Sequence, residues 1–527
     1  MKTKILFIVL CNLIICNLLI AQNITNTLGT DGVFSLKDNT ATYLTLNQVN
    51  GYLTLNRSLV LPYTTGSTLG VIYKGNDRFI HTYHTTESIG YNTFLGIKSG
   101  NFTLLEQARF NTGVGYYTLA GLTTGYGNTT LGAGTLQINS TGFYNTAVGF
   151  TSLNTNTTGK NNTALGFNSL NSNVSGNYNT ALGTESLYSN INGNNNVALG
   201  VTSLYTNTSG RDNTAVGLGS SYSNTTGNEN TAVGNVSLYY NTTGSSNAAL
   251  GSYSLFYNNT GSNNTAVGHN SLYNNNNNYN NAFGMSSLYH NVTGANNSAI
   301  GYFSMYNNLI GFNNTAVGNN SLLNNNGNYN TALGYNAGST ITTGYNLTCL
   351  GIDAAPTSPT AVDQVTLGNI FVTSLRCNVQ TITSLSDARD KKNIKDLSLG
   401  LDFITKLHPR QFNWDKREWY NGNISDGSKM KDAPTAGFIA QELDSAQTTA
   451  GADWLNLVLK DNPEKWEATY GNLLPVMVKA IQELKTENDL LKDKLAKFEE
   501  MQSVLVGEIE KIRSNNSSLK EVKLGEK

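Results

Sequence analysis

A short pattern of small, apolar and polar residues recurs along the middle of the chain. One full unit, residues 230–246, reads NTAVGNVSLYYNTTGSS. The glycine that ends the NTAVG part recurs at a spacing of 17, with two intervals of 16 and one of 19. These glycines are Gly96, Gly115, Gly132, Gly149, Gly166, Gly183, Gly200, Gly217, Gly234, Gly251, Gly268, Gly284, Gly301, Gly318, Gly334 and Gly351. A repeat of this length indicates stacked units that bury their core together.

The alternation inside each unit predicts a short β-strand. Thr231 and Val233 alternate with Ala232 and Gly234, the period of two of a strand with two different faces. We expect a second short strand over the Ser-Leu pair that follows, and a turn over Asn-Thr-Thr-Gly, where Gly or Asn accepts positive φ. The sequence therefore predicts a mainly β fold, a parallel β-solenoid (β-roll) over residues 96–351.

Two further expectations come from the composition of the repeat. Each coil holds few apolar residues, and its Ala and Gly permit close backbone approach, so three chains wrapped together, a homotrimer, are favoured. The many Asn-x-Ser/Thr triplets could be glycosylation sites, but we expect stacked asparagine ladders instead.

After residue 385 the pattern changes to a small α/β domain, predicted over 386–472. We expect a helix capped by Ser398 that stops at Pro409, and a strand near Phe412 and Trp414. Residues 436–443 read as a strand that runs into a short helix, and a long helix starts at Leu473.

The last helix carries heptads over residues 473–513, which predicts a parallel coiled coil. A helix that merely packs on its own domain is the alternative, and residues 514–527 are expected to be a disordered tail. The a positions are Leu474, Ile481, Asn488, Leu495, Gln502 and Ile509, and the d positions are Met477, Leu484, Leu491, Phe498, Leu505 and Ile512.

The N-terminal segment is predicted to be a signal peptide over residues 1–22, with Lys2 and Lys4 before an apolar run that ends near Ala21. A lipidated Cys16 is the alternative, although Ile15 is not the small residue that such a site requires. The protein is therefore expected to be secreted or at the surface of a bacterial cell. Residues 23–95 form a β region of unknown role, and residues 352–385 connect the solenoid to the next domain.

Charge divides the chain in two. Of 67 Asp, Glu, Lys and Arg residues, 46 lie in residues 386–527, and only five lie between residues 116 and 350. The formal net charge of -1 argues against a nucleic-acid partner. Outside the signal peptide only Cys349 and Cys377 remain, and the five His residues are scattered, so no metal and no cofactor is predicted.

The repeats resemble the head repeats of trimeric autotransporter adhesins, which carry a shorter N-x-A-[IV]-G-x-x-S unit on a trimeric β-roll. The resemblance covers about residues 96–351. It implies a trimer and an adhesive role, toward a cell-surface glycan or protein. The repeat of 17 residues differs from the family's shorter one.

The stretch SDARDKKNI, with LDFITKLHPRQFNW, AGFIAQEL and YGNLLPVMVKAIQELK downstream, resembles the endosialidase-type intramolecular chaperone domain of phage tail spikes and fibres. The resemblance covers about residues 384–498. It implies a domain that trimerises, templates the folding of an upstream fibre and then cuts itself off. Carried over, the scissile bond is Leu385-Ser386, with Ser386 as nucleophile and Lys391 as base.

The chemistry of the motif agrees with those roles. A serine needs a group that takes its proton, and a lysine can do so where burial or positive neighbours favour its neutral form. Arg389 supplies such charge, while Asp387 and Asn393 are expected to position the loop. One departure is Asp390, since an adjacent carboxylate would weaken Lys391 as a base. The alternative is a polar loop that never cuts.

The sequence thus predicts a trimeric fibre that serves adhesion, with a C-terminal chaperone that removes itself. The only enzymatic activity predicted is single-turnover autoproteolysis. A structural surface or matrix fibre with a permanent trimerisation domain is one rival. A glycan-degrading fibre is the other, but paired carboxylates are needed. The repeats offer only Glu185, Asp212 and Glu229, at different coil positions.

Overall fold

The computed structural model describes residues 33–37, 42–47, 50–56, 58–85, 90–376 and 386–522. The chain divides into two compact units, Met1–Asn213 and Thr214–Lys527. The predicted signal peptide and Cys377 lie outside the described residues.

The first unit holds a small antiparallel sheet and the first coils of the solenoid. Strands β1, β2 and β3 pair in that order, and the three-residue strands from β6 onward pair in parallel, each with the next coil. The strands are β1 (Val33–Lys37), β2 (Thr42–Asn47), β3 (Tyr52–Leu55), β4 (Ile72–Lys74), β5 (Asp77–His81), β6 (Thr93–Leu95), β7 (Thr112–Val114), β8 (Thr129–Leu131), β9 (Thr146–Val148), β10 (Thr163–Leu165), β11 (Thr180–Leu182) and β12 (Val197–Leu199).

The hairpin β4–β5 covers the N-terminal end of the coil stack. Strand β5 pairs antiparallel with β6, the first strand of the solenoid. His81 is 2% exposed, its ring lies 4.8 Å from that of Phe94, and its Nε2 lies 2.8 Å from the carbonyl oxygen of Ser99. Burial lowers the pKa of His81 to about 4. Arg78 Nε donates to the same carbonyl at 3.1 Å, so the end of the stack is closed by the chain itself.

The second unit continues the solenoid with ten parallel three-residue strands. They are β13 (Thr214–Val216), β14 (Thr231–Val233), β15 (Ala248–Leu250), β16 (Thr265–Val267), β17 (Asn281–Phe283), β18 (Ser298–Ile300), β19 (Thr315–Val317), β20 (Thr331–Leu333), β21 (Thr348–Leu350) and β22 (Val365–Leu367). A parallel solenoid over residues 93–367 confirms the predicted fold class. It runs one coil beyond Gly351, because Gly368 keeps the spacing of 17 although the NTAVG letters are lost.

The interior of each coil is narrow and is closed within one chain. Ala232 and Leu238 have no exposed surface, while Thr231 and Val233 on the same strand are exposed. The predicted alternation is therefore present, and the larger apolar residue of each strand points outward. The expected strand over the Ser-Leu pair is wrong: Leu238 lies in a turn at φ 53°. This left-handed conformation costs roughly 1–2 kcal/mol, which complete burial of the leucine side chain offsets.

Two rows of buried asparagines run through the coils, as expected. In one row Asn145 Nδ2 donates to Asn128 Oδ1 at 3.1 Å and to the carbonyl oxygen of Gly159 at 2.9 Å. In the other row Asn173 Nδ2 donates to Asn156 Oδ1 at 2.7 Å. Both amide hydrogens of these side chains have acceptors, so burial of these asparagines leaves no side-chain N–H without a partner.

Glycine is favoured at two positions of the coil. Gly234, after the strand, has φ 137°, and a Cβ there would lie 2.7 Å from the carbonyl carbon of Gly251 in the next coil. At Gly244 a Cβ would collide with Asn241 Oδ1 and with the carbonyl oxygen of Gly261. Stacking therefore excludes a side chain at the Gly234 position, whereas one 16-residue coil carries Asn277 at the position of Gly244.

The C-terminal domain is small and mixed. Its buried core is formed by Phe403, Leu407, Leu443, Ala452, Leu455, Leu457, Val458, Leu473 and Val476. The elements are helices α1 (Leu401–Ile404), α2 (Ala440–Thr449) and α3 (Leu474–Val522), and strands β23 (Arg410–Phe412), β24 (Thr435–Gly437), β25 (Val458–Leu459) and β26 (Glu467–Ala468). Short 3₁₀ helices span Ala388–Asp390, Arg417–Trp419, Asp453–Leu455 and Tyr470–Leu473.

The start of α1 differs from the expectation. Gly400, not Ser398, precedes the helix, and no side chain of that residue caps it. Glu483, from α3, accepts a hydrogen bond from the Leu401 amide at 2.7 Å instead. A carboxylate at a helix N-terminus also complements the helix dipole. Glu483, 82 positions further along the chain, therefore takes the capping role predicted for Ser398.

Helix α3 is 49 residues long. It continues to Val522, so residues 514–522 are helical where a disordered tail was expected; the Ser514 and Ser517 hydroxyls donate to carbonyls one turn earlier. Among the described residues no helix is long and apolar enough to cross a membrane.

Candidate functional site

The segment that follows the connector forms a compact polar loop. Asp387 caps the 3₁₀ helix Ala388–Asp390, its Oδ1 accepting a hydrogen bond from the Arg389 amide at 2.8 Å. The Arg389 side chain also donates to both carboxylate oxygens, with Nε at 3.0 and 3.1 Å. This pairing lowers the pKa of Asp387. Both residues therefore shape the loop, which is the role expected for Asp387. The positive charge of Arg389 is paired with the Asp387 carboxylate.

The loop brings Ser386 and Lys391 together. Lys391 Nζ hydrogen-bonds to Ser386 Oγ and lies 3.4 Å from the Ser386 carbonyl oxygen. One 3₁₀ turn separates the two residues, and Lys391 leaves it in an extended conformation, φ -116°. A nucleophile and a base within hydrogen-bond reach are the geometry that serine activation requires.

The remaining motif residues surround this pair. Asn393 has φ 55°, a left-handed conformation that asparagine accepts more readily than most residues. Within the described part of the chain no ion pair joins Asp390 to Lys391, so the neighbouring carboxylate does not hold the amine. Leu385, on the other side of the predicted scissile bond, lies outside the described residues.

The pair lies at the surface of the single chain. Ser386, Lys391 and the residues between them are all exposed. Desolvation is one of the effects that favour a neutral lysine.

Other candidate residues serve the solenoid. Asp212 Oδ1 accepts a hydrogen bond from Asn195 at 3.0 Å, and Glu229 Oε2 accepts one from the Ser246 hydroxyl at 3.2 Å. Both carboxylates occupy the residue before the buried asparagine of their coil, so Asp212 and Glu229 share one coil position, contrary to the expectation, and only Glu185 lies at a different one. Among the described residues no group of three or more His, Cys, Asp or Glu could hold a metal ion. Cys349 is buried, and burial raises the pKa of its thiol to about 11.

Sequence reasoning missed two kinds of contact made by the C-terminal domain. Asp461 of the C-terminal domain contacts the last solenoid coil through Gln364 and Thr357. Lysines also stack on tryptophans of the domain: Lys416 Nζ lies 5.0 Å from the ring of Trp414. No spacing in the sequence joins these residues, since the contacts form only on folding.

Comparison with known proteins identifies one family. Residues 386–452 match the model of a family described as chaperone of endosialidase. The family is one of serine-peptidase-like, self-cleaving chaperone domains, and the match begins at Ser386. No curated protein and no solved structure matches the chain. The match and the β-solenoid that precedes it together form the architecture that the two resemblances imply.

Proposed function

We propose that this protein is a secreted homotrimeric fibre whose C-terminal domain assembles three chains and then releases itself by cutting Leu385-Ser386. The observation that carries the proposal is the hydrogen bond from Lys391 Nζ to Ser386 Oγ, at the first residue of the family match. The long helix and the outward apolar residues of the coils support the trimer.

Helix α3 presents an unpaired apolar seam. It packs on its own domain through Leu473, Val476 and Ala480, which are 3%, 0% and 5% exposed and lie at g and c positions. Every apolar a and d residue is exposed by 45% or more in the single chain. A helix that only covered its own domain would use its apolar stripe for that contact, so the free seam favours a coiled coil between copies.

The proposed cleavage is an N-to-O acyl shift followed by hydrolysis of the ester. Ser386 Oγ attacks the carbonyl carbon of Leu385 while Lys391 Nζ takes the hydroxyl proton. The C–N bond to Ser386 breaks, the proton passes to the freed amine, and an ester joins Leu385 to Ser386 Oγ. Water hydrolyses the ester, which leaves a carboxylate on Leu385 and restores the Ser386 hydroxyl.

Intact-mass analysis of the expressed full chain tests this reaction. Wild type should yield two fragments split at Leu385-Ser386. The Ser386→Ala variant has no nucleophile and should stay whole, and Lys391→Ala should lose the cut by about 100-fold or more, as for removal of a general base.

Lys392→Ala is the matched control, because it removes a neighbouring exposed lysine from the same loop. It should cut like wild type. Wild type that forms a folded trimer but stays one piece would contradict autoproteolysis, and the domain would then be the permanent trimerisation domain of a structural fibre.

Adhesion is the role we assign to the fibre after release. The coils offer an exposed surface of hydroxyl, amide and aromatic groups with very little charge, which suits a neutral surface ligand better than a charged one. Binding of the purified fibre to glycan arrays and to whole cells tests this. If the fibre binds these surfaces no more than a blank surface, a purely structural fibre would be favoured.

A further inference from the structure

The two buried asparagine rows stop before the solenoid does. Asn330 is the last asparagine of the row that precedes each strand, and the next two coils carry Leu347 and Gln364 at that position. Gln364 forms a closed pair with Thr357: Gln364 Nε2 donates to Thr357 Oγ1 at 2.8 Å, and the Thr357 amide donates to Gln364 Oε1 at 3.1 Å. At the open end of the solenoid interior, the last coil therefore carries polar side chains again.

In earlier coils each ladder amide donates to the coil that follows. Asn314 Nδ2 donates to the carbonyl oxygen of Gly327 at 2.9 Å, and Asn330 Nδ2 donates to that of Gly344 at 2.8 Å. At the last coil Gln364 Nε2 donates to Asp461 Oδ2 at 2.9 Å. Thr357 Oγ1 lies 3.4 Å from the same oxygen. The carboxylate thus stands where the next coil would supply an acceptor.

The backbone edge of this last coil also lacks a partner strand among the described residues. In the preceding coil the Thr348 amide donates to the Gln364 carbonyl, and the Leu350 carbonyl accepts from the Gly368 amide. The equivalent groups of β22, the Val365 amide and the Leu367 carbonyl, have no hydrogen bond to any described residue. Such an edge is a template for pairing with another strand.

The C-terminal domain lies over this edge. A cavity of about 730 Å³ separates them, lined on one side by residues of the last coil that include Val365 and Leu367. On the other side it is lined by Glu418, Lys465 and Glu467 of the domain. By contrast, the N-terminal end of the stack is closed by the hairpin β4–β5 of the chain itself.

We propose that the C-terminal domain is a removable end cap of the solenoid, in which Asp461 replaces the missing next coil as hydrogen-bond acceptor for Gln364 and Thr357. The partner of this surface is the last coil of the fibre. The cap orders that coil first, and each further coil then stacks on an ordered neighbour. The proposed release would uncover the edge of β22, and the inference rests on the proposed cleavage for that consequence alone.

Hydrogen exchange of the full chain in a Ser386→Ala background tests the cap without cleavage. Asp461→Ala should speed exchange in peptides over residues 348–368 by about tenfold or more, as expected for loss of one hydrogen bond to a charged group. Asp461→Asn keeps a carbonyl acceptor and should give a smaller change. Gln364→Ala, from the fibre side, also removes the pair with Thr357 and should speed exchange at least as much as Asp461→Ala.

Asp432→Ala is the control, an exposed carboxylate on the same domain, and should leave these peptides unchanged. Unchanged exchange at 348–368 in Asp461→Ala and Gln364→Ala would overturn the inference. An equal rise over residues 214–334 would also overturn it, since the effect would not be local to the end.

The two proposals fail separately. If wild type is not cut, the Asp461 variants still report on the cap, which would then be permanent. If wild type is cut, its released fibre should show the same rise at 348–368 as Asp461→Ala. A cut fibre with full protection there would contradict the cap and leave autoproteolysis intact.

Discussion

Asparagine is the residue that makes a coil of this width possible. An apolar residue in its place would remove one of the two donors to an interior glycine carbonyl and would leave the backbone amide of the next asparagine without an acceptor, at a cost of about 1–3 kcal/mol. The side-chain amide meets both groups and also pairs with its equivalent one coil away: Asn162 Nδ2 donates to Asn145 Oδ1 and to the Gly176 carbonyl, and its own Oδ1 accepts from Asn179. The interior is thus held by polar ladders beside a thin apolar row.

Removal of one ladder amide should weaken the coils next to it. Asn162→Ala removes one of the two side-chain donors to the Gly176 carbonyl and leaves the Asn179 backbone amide buried without its acceptor, so we expect about 2–3 kcal/mol of local destabilisation. Native-state hydrogen exchange over residues 145–180 should rise by about 100-fold. Local exchange is the suitable measurement because long repeat arrays do not unfold in two states.

The control for this prediction is Thr158→Ala, an exposed residue in the neighbouring turn. It should change exchange little. An Asn162→Ala chain as protected as Thr158→Ala would contradict the importance of the ladder.

Part of the site could be predicted from residues alone. Ser386 and Lys391 are five positions apart, and a short helical turn suffices to join them, so the motif itself specifies the contact. Glu483 and Asp461 could not be found this way. Each meets its partner only because a distant element packs there, and a single Glu or Asp in a charged domain carries no signal of its own.

At the scale of elements, the strands are set by local pattern and the turns by packing. The three-residue strands follow from Thr-Ala-Val alternation. The turn that replaces the second predicted strand is left-handed at Leu238, which no propensity favours. It is adopted because only this geometry turns the leucine inward within a coil of 17 residues.

Aromatic residues of the second unit form an element of their own. Rings at one coil position stack with centroids 4.9–5.5 Å apart, close to the spacing of adjacent strands. The row comprises Tyr222, Tyr239, Phe256, Tyr273, Tyr289 and Tyr306. Because the ring faces are used against each other, the ladder stiffens the stack and leaves the ring edges outward.

The free seam of α3 gives a prediction about assembly. Leu491 is at a d position and Leu490 at c, and the two are 63% and 54% exposed in the single chain. Leu491→Asp places a charge inside a coiled coil and should lower trimer affinity by at least about 100-fold, as for a charge buried without a partner. Sedimentation of the Ser386→Ala chain measures this.

Leu490→Asp is a matched control, since it adds the same charge one residue away and off the seam. It should leave the trimer intact. Equal sedimentation of the two variants would show that the heptad seam is not the interface.

For the whole molecule, the difficulty of folding lies in register. Coils of 17 residues are nearly interchangeable, so in the proposed trimer a slip of one coil between chains would bring equivalent outer faces together again at little local cost. A C-terminal domain that joins three chain ends replaces a three-body encounter by an intramolecular one. Once it is cut away, the fibre would stay folded because unfolding is slow.

Cut and uncut chains should therefore refold at unequal rates. After denaturation, uncut Ser386→Ala chains should regain trimeric β-structure at micromolar concentration faster than fibre from which the released domain has been removed, by on the order of 100-fold. Circular dichroism with sedimentation follows both. Equal recovery would mean that the coils find their register without the domain.

The sequence by itself determined the repeat, the strands and their faces, the long heptad helix and the serine-lysine motif, because each depends on residues close together in the chain. Only the tertiary structure decided where the solenoid ends, which side of α3 stays free, what caps α1 and which carboxylate meets Gln364. Those contacts join residues far apart along the chain, and their energies depend on packing that no local pattern encodes.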